Sequence, residues 1–226
     1  MRPSQRIWEI DCARSVAILL MIVFHLIVDL KDFFFYNIEY LTGFWFYVGK
    51  LSALLFILTA GISCTLNTKT LLKHGLKVFL WGMILTGITY LYNPLTYIRF
   101  GILHLLGCSI ISYKFLSDLS PVWLLLSGAI WLSIGYAFTP AIVTLPYLFP
   151  LGLVTGNFAS IDYYPLIPWY GIFLIGTAVG KSLYTKRQSI FPEITPPLLT
   201  TYLGQHSLII YLIHQPLLLA ILNIIF

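Results

Sequence analysis

The chain has 226 residues, 59% of them apolar and only 9% charged, with a formal net charge of +5. An average soluble domain carries roughly 25% charged residues, so this sequence cannot clothe a water-exposed globule. The hydrocarbon core of a bilayer is the solvent that suits it. The basic residues form no patch and fall at the ends of apolar runs, which speaks against nucleic acid as a partner and for membrane topology.

Seven apolar stretches are candidate spans: residues 12–34, 45–66, 76–92, 99–116, 121–138, 165–184 and 202–226. The predicted fold is therefore all-α, a polytopic transmembrane helical bundle of about seven helices. No linker, repeat or low-complexity run divides the chain, and residues 1–226 are expected to form a single transmembrane domain. Arg2 and Arg6 precede the first apolar stretch, but Glu9, Asp11 and Arg14 interrupt its start. No small-residue cleavage site follows, so the stretch is expected to stay as the first span. Cys12, Cys64 and Cys108 show neither metal nor disulfide spacing and are expected as buried thiols; no metal is expected.

Charge sets the expected orientation. With the N-terminus cytoplasmic, the inner ends carry Arg2, Arg6, Arg14, Lys69, Lys73, Lys77, Lys114, Lys181, Lys186 and Arg187, and the outer side keeps Lys31, Lys50 and Arg99. That bias follows the positive-inside rule. The connection over residues 139–164 holds Pro140, Pro146 and Pro150 yet is strongly apolar over 141–154. Too short to span, it reads as a re-entrant or surface-lying lid, or equally as an interfacial loop. Phe33 to Tyr36 and Trp45 to Tyr47 form an interfacial aromatic belt, and His74, between Lys73 and Lys77, a headgroup contact.

Ionisable groups inside membrane helices are costly and mark function by default. The first span has Asp11, Arg14, His25 and Asp29. At about 100° per residue, all four lie within roughly 60° of one another on a single stripe. Asp11 and Arg14, one turn apart, can neutralise each other. His25 and Asp29 are an i,i+4 pair, and a carboxylate on one ring nitrogen would raise the basicity of the other, as in a general base. The bland alternative is that His25 only bonds across helices to hold the packing. Counting about 1.5 Å per residue places His25, His104 and His214 at similar depth, so three helices are expected to bring three histidines into one layer. His206, Ser207, Tyr211, His214 and Gln215 make the last span polar on part of its surface. Pro216 is expected to kink it and free carbonyls. Arg99 either holds an anion or anchors its helix.

Family likeness attaches to these residues. The opening, Arg6-Ile-Trp-Glu-Ile-Asp11-Cys-Ala-Arg14-Ser-Val-Ala-Ile and on to Met21-Ile-Val-Phe-His25, resembles that of a prokaryotic membrane family related to the heparan-α-glucosaminide N-acetyltransferase catalytic domain. Arg14 and His25 also resemble the Arg-x10-His signature of the acyltransferase-3 group. Further echoes are Leu55-Phe-Ile-Leu-Thr-Ala-Gly61-Ile-Ser, Arg99-Phe-Gly-Ile-Leu-His104, Tyr164-Pro-Leu-Ile-Pro-Trp169 and Gly204-Gln-His206-Ser-Leu-Ile-Ile-Tyr-Leu-Ile-His214-Gln-Pro. The departures are Ser15, where the family opening has glycine, and His25, where the lysosomal enzyme is expected to carry an amide.

The resemblance implies transfer of an acyl group, acetyl above all, from cytoplasmic acetyl-CoA or another acyl-CoA to an amino-sugar or small glycan acceptor on or across the membrane. It also implies an enzyme of the cell (plasma or inner) membrane and a homodimer as one assembly. His25, Asp29, His104 and His214 are then the catalytic candidates. Asp11, Arg14, Arg99, His206, Ser207, Tyr211 and Gln215 are the candidates for holding the donor. Acyl transfer needs a base or an acyl-carrying histidine, together with donors for the oxyanion. Arg14 and His25 are roughly 16 Å apart along a helix axis, a span an extended donor arm can cover. Two other classes compete: a proton-coupled transporter, since His and Asp relays also line translocation paths, and a non-enzymatic membrane subunit. A scaffold has no need of the stripe, and no inverted repeat marks a transporter.

Overall fold

The structure, a computed structural model, describes residues 7–138 and 142–226. The expected contributions of Arg2, Arg6 and Pro140 lie outside the described residues. Helices dominate what is described: α1 (Trp8–Asp32), α2 (Gly43–Leu66), α3 (Leu71–Tyr92), α4 (Ile102–Leu116), α5 (Pro121–Phe138), α6 (Leu166–Leu183), α7 (Leu198–Gln205) and α8 (Ser207–Ile225). α1, α2, α3, α6 and α8 are long and apolar enough to cross a membrane, and α4 and α5 are shorter apolar helices. α4 begins only after Gly101, so its 15 residues rise about 22 Å, less than the roughly 30 Å of a hydrocarbon core. Cys12, Cys64 and Cys108 are thiols.

The chain divides into two compact units, one of Met1–Thr59 with Lys186–Phe226 and one of Ala60–Thr185. In the first, α1 lies against α7 and α8. Hydrocarbon offers helices no hydrophobic reason to associate, so close backbone approach and polar ties must do it. Gly204 of α7 sits directly on the Asp11 backbone, where any Cβ would collide. Beside it, the buried Ser15 hydroxyl is within reach of both the Asp11 carbonyl, at 2.8 Å, and the Thr200 carbonyl. That explains a serine at this position: its oxygen ties α1 to the neighbouring helix, which a glycine cannot do. Ser52 of α2 donates to the Ala17 carbonyl at 2.8 Å. At the start of α1, Glu9 accepts from the Ser189 hydroxyl and the Ile190 N–H, both at 2.6 Å, and so pins the returning chain.

In the second unit α3 packs on α4 and α5 on α6. Both pairs meet at small residues. A Cβ on Gly128 would come 2.8 Å from the Gly171 carbonyl, and one on Gly107 2.6 Å from the Phe79 side chain. Tyr170 and Ser112 share a 2.7 Å hydrogen bond between α6 and α4. Lys181 donates to the Ser117 and Leu119 carbonyls, at 2.6 Å each, closing the α4–α5 turn. The outward face of α3 carries Leu72, Leu76, Leu80, Ile84 and Ile88, and that of α5 Val122, Trp123, Leu126 and Ile130, all exposed. Such faces are stable only against hydrocarbon or another apolar surface.

The proline-rich connection is a folded cap. It contains a 3₁₀ turn, Pro146–Leu151, and bonds to the loop between α3 and α4 through Tyr164 N–H to the Phe100 carbonyl at 2.8 Å and Ile161 N–H to the Thr96 carbonyl at 3.0 Å. One expectation about the C-terminal span is corrected: it is not a single helix. Its break falls at His206, between α7 and α8, where ψ of 17° departs from the helix, and α8 runs on through Pro216. A proline lacks an N–H and sets its ring against the carbonyl four residues back, so the Leu212 carbonyl is without that partner inside α8.

Candidate functional site

Within the first unit α1 and α8 bring His25 and His214 together, ring centroids 4.8 Å apart and edge to face at 77°. Each ring is tied to its own helix: His25 Nδ1 lies 2.9 Å from the Met21 carbonyl and His214 Nδ1 2.6 Å from the Tyr211 carbonyl. A carbonyl can only accept, so Nδ1 carries the proton in both rings, and in the neutral imidazole Nε2 is left with a bare lone pair. His214 Nε2 is buried without a hydrogen-bond partner among the described residues. The result is two imidazoles of fixed tautomer presenting basic nitrogens.

The expected His25–Asp29 pair is not formed. Asp29, fully buried, accepts from the Gln215 side-chain amide at 2.6 Å. The physical reason is local: the Met21 carbonyl, one turn back on α1, is already within reach of the His25 ring and satisfies Nδ1. Asp29 Oδ2 and Gln215 Oε1 are both buried without partners. A buried acceptor left bare costs about 1–3 kcal/mol. Asp29 lies one turn beyond His25 on α1, and Gln215 follows His214 directly on α8. Tyr211, whose ring centroid is 5.6 Å from that of His214 and 6.3 Å from that of Phe56, forms an aromatic wall beside them.

Lower on α1, Arg14 Nη1 pairs with Asp11 Oδ1 at 3.4 Å, as the spacing predicts. Asp11 is buried and Arg14 partly so. His206 lies over the Tyr202 ring at 4.2 Å and its Nδ1 bonds the Tyr202 carbonyl at 2.9 Å, so it caps α7. Ser207 opens α8.

His104 and Arg99 belong to the second unit. His104 Nδ1 accepts the Gly101 N–H at 3.2 Å, so its proton sits on Nε2 and is offered to the Thr86 hydroxyl at 3.3 Å, which in turn donates to the Ile98 carbonyl at 2.7 Å. Both nitrogens are engaged, and His104 can act as a base only by breaking one of these ties. The Arg99 guanidinium rests over the Tyr97 ring at 4.9 Å and the Phe158 ring at 5.2 Å. Phe158, from the cap, could not have been identified from spacing, because 59 residues separate it from Arg99 in the chain. Burial pushes the Tyr163 phenol of the cap up to about 12, so it stays a donor to the Phe149 carbonyl at 2.6 Å.

Residues 6–216 match the family model described as "Heparan-alpha-glucosaminide N-acetyltransferase, catalytic". No curated protein and no solved structure matches the chain.

Proposed function

The chain belongs to the heparan-alpha-glucosaminide N-acetyltransferase catalytic family, whose model covers nearly all of it, and on that premise we propose that it is a membrane acetyltransferase drawing on cytoplasmic acetyl-CoA, or another acyl-CoA, and working at the His25–His214 pair. The acceptor in this reading is an amino sugar or small glycan on or across the membrane. The family implies transferase activity in general.

The observation that carries it is the facing pair of imidazoles, His25 half-buried and His214 buried, with Nδ1 held and Nε2 available. His25 Nε2 takes the proton from the acceptor hydroxyl or amine as its heteroatom attacks the thioester carbonyl. The carbon–sulfur bond then breaks, and the proton passes from the imidazolium to the departing thiolate. The same nitrogen can instead take the acyl group first and hand it on, with the thiolate leaving in the first step. His214 is the second base of the pair. Asp29 and Gln215 hold α1 to α8 beside it. Arg14, partnered by Asp11, is assigned to the phosphates of the donor, where a guanidinium binds best. His104 is assigned to holding the α3–α4 turn.

The topology that goes with this has all seven apolar helices crossing as one domain in the cell membrane, with the N-terminus cytoplasmic, so that Arg14 meets the donor from inside. A homodimer is the proposed assembly. The test uses purified protein in neutral detergent, following acetyl-CoA binding and thioester consumption with amino-sugar acceptors. Wild type should bind and consume the thioester, and His25→Ala should bind but not consume. Turnover by His25→Ala at the wild-type rate overturns the catalytic assignment; failure of wild type to bind acetyl-CoA overturns the reaction.

A further inference from the structure

The second unit holds a cavity of about 320 Å³ between α3, the start of α4 and the cap. Phe79, Met83, Phe100, Phe149 and Pro150 give it an apolar wall, and one fully charged side chain, Arg99, reaches it. Among the described residues no carboxylate lies within ion-pair distance of that guanidinium, and its Nε is buried without a hydrogen-bond partner. Its position is nonetheless built. The Tyr97 and Phe158 rings hold its faces, and its backbone N–H is bonded to the Ser160 hydroxyl at 3.2 Å. The cap that supplies Phe158 is itself locked by the Asp162 carboxylate on the Ile102 N–H at 3.1 Å.

A guanidinium is a planar fork suited to the paired oxygens of phosphate or carboxylate, and in a poorly solvated setting it is costly without them. The volume falls at the lower end of the range for small-ligand sites, which are mostly apolar with a few placed polar groups. We propose that the Arg99 cavity binds an oxyanion carried on an apolar body: a phosphate or carboxylate head met by Arg99, with hydrocarbon against the phenylalanine wall. The site stands apart from the acyl-transfer reading and does not depend on it. Two sources carry this chemistry, an anionic membrane lipid and a soluble organic phosphate or acid.

Native mass spectrometry and equilibrium binding on the full chain in neutral detergent test it. The probes are phosphatidic acid, phosphatidylcholine, hexyl phosphate, hexanol and inorganic phosphate. Wild type should take up phosphatidic acid or hexyl phosphate at least about tenfold more tightly than phosphatidylcholine, hexanol or inorganic phosphate. Arg99→Ala should abolish that preference and Arg99→Lys restore part of it, because an ammonium keeps the charge but not the fork. Met83→Trp, which fills the cavity and spares Arg99, should weaken binding as well and guards against misfolding of the arginine variants. Binding of phosphatidic acid alone assigns the site to a lipid, and of hexyl phosphate alone to a soluble ligand. The proposal is overturned if Arg99→Ala binds like wild type, if hexanol or inorganic phosphate binds as well as hexyl phosphate, or if neither anionic amphiphile binds.

Discussion

His25 and His214 face each other edge to face, 4.8 Å between centroids, each with its Nδ1 already committed to a backbone carbonyl of its own helix. Neither ring needs a carboxylate to fix its tautomer, because the turn beneath it supplies an acceptor. His214→Phe keeps a ring in place and removes the second basic nitrogen. It should lower the rate of acyl transfer by about 10²- to 10⁴-fold. If the two rings act as a unit, the double variant with His25→Ala will be no slower than the worse single variant. Single-turnover thioester consumption measures both.

Gln215→Leu leaves the Asp29 carboxylate buried without its 2.6 Å donor. It should destabilise the protein by about 1–3 kcal/mol, whereas replacing both partners with leucine should recover most of that loss. Thermal unfolding in detergent, comparing single and double variants, checks it; a double variant less stable than Gln215→Leu would show that Asp29 has another stabilising role.

Gly204 and Gly87 offer a matched steric comparison. A Cβ at Gly204 runs into the Asp11 backbone, while at Gly87 nothing lies within 4 Å. Gly204→Ala should cost about 1–3 kcal/mol by forcing α7 off α1. Gly87→Ala, in mid-helix, should be neutral or stabilise by about 0.5–1 kcal/mol. The same unfolding assay reports both.

The Tyr163 phenol is raised to about 12 by burial, above the ordinary value near 10. A raised pKa means that its contribution to stability is complete below about pH 10 and is lost as pH climbs toward 12, because the unfolded chain gives up its proton first. Tyr163→Phe should therefore be less stable than wild type near pH 8 and should lose less stability between pH 9 and 11. Equal alkaline slopes in the two proteins would count against the buried bond to Phe149.

Much of this architecture was legible in the chain itself. The five helices long and apolar enough to cross a membrane follow the apolar runs closely, because in hydrocarbon every backbone group must be satisfied within its own segment and local composition therefore decides the element. The Asp11–Arg14 pair was legible for the same reason, being one turn apart on one helix. The partner of Asp29 was not. The i,i+4 rule offered His25, yet that ring is satisfied by Met21 on α1, and the carboxylate is met by Gln215, 186 residues away. The break at His206 was equally hidden behind Pro216, the stronger local signal.

Sequence by itself determined that this protein is helical, suited to a bilayer and built around a few ionisable groups on α1 and α8, since periodicity and solvent preference act along the chain. Only the tertiary structure decided that His25 meets His214, that Gln215 holds Asp29, that His104 is tied at both nitrogens, and that Phe158 of the cap covers Arg99. Those outcomes depend on the rotation of each helix about its axis and on loops that fold back across tens of residues. The energies that set them come from contacts made only after the helices have assembled.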